Sequence, residues 1–138
     1  MSPRRNHSGF TLMELILAAF LLAVVLTGMI QLFITCRYLN DSNRNMVVAA
    51  SHAQFIMEDI IGSSASVPAI EAAINAGNWN LTSDDIQGAP YQFTPLTDES
   101  VTAQVSMAGD PLGFNVTVRW REGSMLDHDY VLQTLVAQ

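Results

Sequence analysis

GFTLMELILAAFLLAVVLTGMIQLFITC, from Gly9 to Cys36, is the stretch on which the reading of the whole chain turns. Its last 22 positions, Leu15 to Cys36, hold no Asp, Glu, Lys or Arg. As an α-helix that run is roughly 33 Å long, enough to cross the hydrocarbon core of a bilayer. It is also too long for the apolar core of an ordinary secretory signal peptide, which spans about 7–15 residues. Glu14 sits at the mouth of the run. A carboxylate in hydrocarbon is costly unless it is paired or near the surface, so Glu14 calls for a cationic partner. Upstream, Met1 to Ser8 carries Arg4 and Arg5 and no acid. The positive-inside rule keeps that end cytoplasmic and sends the rest of the chain outward.

The order Gly9, Phe10, Thr11, Leu12, Met13, Glu14 reads G-F-T-L-x-E, with a short basic leader before it and an apolar helix after it. That combination resembles the prepilin signal of type IV pilins. The resemblance implies that a membrane-embedded prepilin peptidase cuts after Gly9 and N-methylates Phe10. It also implies that Glu14 attracts the N-terminal amine of a neighbouring subunit during assembly. The organisation expected is a cleaved leader at 1–9, a transmembrane and assembly half-helix at 10–36, and an amphipathic half-helix with a globular pilin head at 37–138. The expected location is the bacterial inner membrane, single-pass with the head outside the cytoplasm, and then a pilus or pseudopilus. The implied partners are the peptidase, other pilin or pseudopilin subunits, an inner-membrane assembly platform and membrane lipid.

Composition narrows the function. The chain of 138 residues has a net charge of −7 and no lysine. Loss of residues 1–9 would take Arg4 and Arg5 with no acid and leave −9 before the new amine is counted. An acidic surface is poorly suited to nucleic acid, and no nucleic-acid partner is expected. Cys36 is the single cysteine, so no intrachain disulfide can form. Its place in the apolar run predicts a buried apolar residue. Many major pilins close a C-terminal loop with a disulfide, and its absence here favours a minor pilin or pseudopilin.

Past Cys36 the chain turns polar, yet no glycine occurs before Gly62 and no proline before Pro68. One helix from Phe10 to Ile61 would be roughly 78 Å long. Met46, Ala50, Ala53, Met57 and Ile60 recur at spacings of four and three and predict an apolar stripe, with His52 on the same half as a surface or head-packing residue. Pro68 to Ala76 reads as a short helix closed by Gly77, and the polar run through Asp84, Asp85, Gly88 and Pro90 as a connecting loop pinned by Trp79. Alternation in Val101–Met107, Phe114–Trp120 and Tyr130–Val136 predicts strands paired consecutively in a three- or four-stranded antiparallel meander. The fold class is α+β: a long N-terminal helix packed against a small antiparallel sheet.

No H-E-x-x-H, G-x-S-x-G, Walker A or C-x-x-C pattern occurs, and His7, His52 and His128 are scattered. An enzyme is not expected, and no cofactor is assigned. Asp84, Asp85, Asp98, Glu99 and Asp110 offer oxygen ligands without the order of a known calcium loop, so no metal is assigned. Asp127 and Asp129 would lie on one face of a strand or in a hairpin loop, and they read as solvated turn charges rather than a cation site. The alternative to a filament subunit is a membrane-anchored extracytoplasmic binding module that does not polymerise.

Overall fold

Between Thr11 and Ser63 the sequence has no proline and only two glycines, Gly28 and Gly62. Nothing in that stretch forces a break, and the backbone is helical from Leu12 to Ser63 (α1). The computed structural model describes residues 11–63, 66–123 and 126–137 and divides into two units, residues 1–40 and 41–138. In the first unit every described side chain of α1 is exposed, Cys36 included. The expectation that Cys36 is buried is therefore corrected. The helix surface around it has no other element of its own unit to pack on. Thr27 and Thr35 turn their hydroxyls back to the carbonyls of Ala23 and Gln31, at 2.8 and 3.0 Å. Both donors are thereby satisfied within the helix, as a lipid-facing surface requires.

In the second unit α1 presents Ala49, His52, Ala53, Ile56, Met57 and Ile60 to the core. The predicted stripe is right at Ala53, Met57 and Ile60. At its start it is rotated: Met46 is 42% exposed, whereas Ala49 has no exposed surface. The buried face is centred where the helix is slimmest, on Ala49 and Ala53.

Val67–Asn75 forms α2, with Pro68 in its first turn, where a missing N–H removes no helical hydrogen bond. It ends in a Schellman arrangement: Gly77 N–H donates to Ile74 and Asn78 N–H to Ala73, at 2.9 and 3.3 Å, with Gly77 at φ +78°. The expected loop that follows holds more order than its composition suggests. Leu81–Thr82 is a short strand (β1) and Ser83–Gln87 one helical turn (α3). Asp85 caps that turn, accepting from the Thr82 backbone N–H (2.8 Å) and hydroxyl (2.7 Å). These bonds, the backbone one first, hold its carboxyl below the usual value of 3.8.

The sheet is completed by Ser100–Met107 (β2), Leu112–Glu122 (β3) and Leu126–Val136 (β4), all antiparallel in the order β1-β2-β3-β4. Val101 pairs with Val118, Ala103 with Val116 and Val118 with Tyr130, so one face of the sheet is continuously apolar. Leu112, Phe114, Val116, Val118 and Trp120 of β3 are buried on it against the same core as α1 and α2. An irregularity between Val105 and Met107 ends the β2 alternation and leaves Met107 45% exposed, although the sequence pattern places it inside. Gly113 lies beside that irregularity. A Cβ there would lie 3.0 Å from the Met107 Cβ and the Ser106 hydroxyl, a tight approach that glycine relieves.

Phe114 is fully buried at the middle of this face. Phe114→Ala should destabilise the head by about 3–5 kcal/mol, whereas Val131→Ala, on the exposed face of β4, should change stability by less than about 0.5 kcal/mol. Denaturant unfolding of the full chain in detergent, followed by tryptophan fluorescence, measures both.

Candidate functional site

The apolar segment opens on a capped helix. Thr11 stands just before Leu12, and its hydroxyl accepts the Glu14 backbone N–H at 3.3 Å, while its carbonyl accepts the Glu14 and Leu15 N–H groups at 3.0 and 3.2 Å. Glu14 is thus the third residue of α1, in the first turn, where the positive end of the helix dipole favours a carboxylate. Its side chain is exposed and makes no ion pair among the described residues. The predicted cleavage and methylation residues, Gly9 and Phe10, lie outside the described residues, immediately before this cap. Threonine three residues before glutamate is a sequence signature of a helix start. Read that way, it locates the start of α1 at Thr11 without any structure.

From Leu15 to Cys36 the surface carries no charge. An 18-residue window of α1 reaches a mean hydropathy of 2.5 with none of it buried inside the protein, so length and composition suit a membrane span. Arg37 follows the uncharged run, its guanidinium 5.9 Å from the centre of the Phe33 ring.

Of the other sequence candidates, Trp79 is buried and donates its indole N–H to Asp59 at 2.8 Å, which pins the segment after α2 to α1. Asp59 also faces the Tyr91 hydroxyl at 3.4 Å. Partial burial, and then this carboxylate, raise the Tyr91 phenol above its ordinary pKa. Asp127 and Asp129 share the exposed face of β4, and Asp127 binds Arg121, which also holds Asp98. Hydrogen bonding to Asp127, then the two negative charges, push the guanidinium pKa still higher. His128 stacks on Trp120 across the β3–β4 pair, 5.5 Å between centroids, and its Nε2 is 3.2 Å from Glu122. That contact is too poorly aligned to be a hydrogen bond. Among the described residues no three His, Cys, Asp or Glu side chains converge on a common point.

One polar pair escaped the sequence reading in full. His52 is buried on α1, and its Nδ1 is 2.7 Å from Oε1 of Glu99, whose Oε2 accepts the Leu96 N–H at 2.6 Å. The His52 ring stacks on Phe93, 4.9 Å between centroids. Glu99, considered from sequence as an oxygen ligand, instead ties the 93–99 segment to α1. The partners are 47 residues apart, and no spacing rule links them.

The family described as "Prokaryotic N-terminal methylation motif" matches residues 4–30, about a fifth of the chain. This motif is the N-terminal signature of type IV pilins and pseudopilins, and it supports a type IV pilin-like protein handled by a prepilin peptidase. It covers the leader, the Gly9–Phe10 junction, the Thr11 cap, Glu14 and the first half of the apolar run. No curated protein and no solved structure matches the chain.

His52→Leu should destabilise the head by about 3–5 kcal/mol, because it leaves the buried Glu99 carboxylate with only the Leu96 N–H. The double variant His52→Leu with Glu99→Leu should recover much of that loss, since no buried charge then remains unpaired. A double-mutant cycle by denaturant unfolding checks the pair.

Proposed function

We propose that this chain is a minor type IV pilin or a type II secretion pseudopilin: a structural subunit held in the inner membrane by the first part of α1 and then drawn into a pilus or pseudopilus. The observation that carries this reading is the methylation motif at residues 4–30, which runs directly into a capped helix whose apolar surface no part of its own unit covers. In the bilayer, lipid covers that surface. In a filament the helices of other subunits cover it, so transfer from one to the other exposes little apolar area to water. Each subunit meets the next through different surfaces, so the contact does not close on itself and continues as a helical fibre. Processing after Gly9 creates a cationic amine on Phe10, and Glu14 of the next subunit supplies its counter-charge. The subunit's partners are then the prepilin peptidase, other pilin or pseudopilin subunits, the inner-membrane assembly platform and membrane lipid. The four-stranded head is carried outside the cytoplasm.

The mature N-terminus should be N-methyl-Phe10, seen by intact mass and N-terminal peptide analysis of membrane-extracted protein from a host with an active prepilin peptidase. Gly9→Val should block processing by crowding the scissile bond. Met1 retained on the wild-type chain in such a host would remove the assignment.

Glu14→Leu should leave cleavage and insertion intact and deplete the sheared-filament fraction. The substitution removes a charge unfavourable in lipid, yet in the filament it leaves the neighbouring Phe10 amine buried without a partner, at a cost of about 3–5 kcal/mol. Immunoblots of membrane and sheared fractions separate the two effects, and Glu14→Asp should fall between. Incorporation of Glu14→Leu at the wild-type level would refute the pairing.

A further inference from the structure

Residues 41–137 carry twelve carboxylates against three arginines. Heads of that charge repel one another when packed side by side, so docking points are expected where a cation is left open. Arg121 is already shared between Asp98 and Asp127. Arg44 and Arg119 make no ion pair among the described residues, and Arg44 lines a groove of about 340 Å³ between α1 and the 93–96 segment. Val48 and His52 of α1 and Phe93, Thr94 and Pro95 opposite them form much of the rest of the lining. His52 is only 6% exposed, and its Nδ1 is committed to Glu99.

We propose that this groove receives a carboxylate side chain from a neighbouring subunit, an inference that rests on the filament reading above. The guanidinium of Arg44 supplies a two-pronged donor for the carboxylate oxygens. Val48, Phe93 and Pro95 give apolar contact to the methylene stem of an Asp or Glu side chain, a volume that about 340 Å³ accommodates. An anionic lipid headgroup is the less suitable occupant, because the surrounding head is strongly acidic and is repelled by an anionic membrane surface. The groove thus offers one acidic head a specific, charge-neutralising contact with the next.

Thr94 is exposed on the rim of the groove, so Thr94→p-benzoylphenylalanine in the full chain places a photo-cross-linker there without disturbing the core. Irradiation of filament-producing cells, with mass-spectrometric mapping, should give an adduct to a peptide of a pilin-type subunit that contains Asp or Glu. Arg44→Glu, at an exposed position, should lower that adduct about tenfold, and reversing the mapped acid to Arg should restore it. An adduct to lipid, no adduct, or an adduct insensitive to Arg44→Glu overturns the proposal while the chain is still found in the sheared fraction. A chain absent from that fraction overturns the filament reading and this proposal together.

Discussion

The constraint on which the rest depends is that the side chains from Leu15 to Cys36 have nothing within their own unit to cover them. Apolar surface left in water costs about 25 cal/mol per Å², so a helix that is apolar all round cannot persist in water as it stands. Some other phase must cover it. The absence of charge over the whole run makes a bilayer suitable, and the hydroxyls of Thr27 and Thr35 are returned to their own helix. The same uniformity makes the surface adaptable: a helix with no preferred apolar face can be covered by lipid or by several protein neighbours in turn.

The head meets a different requirement with the continuation of the same helix. From Ala49 onward the side chains of α1 divide into a buried stripe and a polar remainder, and the stripe joins the sheet face of β2 and β3 in one core. Unlike the stripe, the 93–99 segment is held to α1 chiefly by polar and aromatic contacts: His52 to Glu99, His52 to Phe93, and Phe55 against Phe93 at 4.9 Å. A buried polar pair of this kind is weak evidence of net stability, because desolvation of its groups offsets their attraction. Its consequence is positional. Removing either partner leaves a polar group stranded, so the segment is fixed in one place on the helix.

Most of the architecture was legible from periodicity. The uncharged run, the helix after Val67 and the alternating strands each carry a local signal, and each forms where the pattern places it, with the turns at Gly109–Pro111 and after Glu122 between paired strands. The departures have local physical reasons as well. Met107 leaves the core because an irregularity in β2 breaks the two-residue period, and period counting cannot see an extra residue. Met46 lies outside because the buried face of α1, through Ala49, His52 and Ile56, is rotated from the stripe that starts at Met46. The turn Ser83–Gln87 was hidden by a composition of Asp, Ser and Gly, although Thr82 and Asp85 stand three apart as a cap requires. Of the candidate site, Gly9, Phe10 and Glu14 were visible as a motif, while His52 with Glu99 was not, since only folding brings residues 47 apart in sequence together.

Glu14 can be accounted for at two levels, and they do not compete. Within one chain it is the third residue of a helix capped by Thr11, and a carboxylate there is favoured by the orphan N–H groups of the first turn. That contribution is of the order of 0.3–1 kcal/mol in water, and it would be met equally by aspartate or by a neutral capping residue nearby. It does not explain why a charge should be kept at the edge of a segment suited to hydrocarbon, where the penalty is several times larger. A second cation close by does explain it, and in the proposed filament the Phe10 amine supplies one, released by the cut after Gly9. The helix dipole sets where along α1 a carboxylate is tolerated; in the proposed filament, the amine of a neighbouring subunit gives the reason for having it.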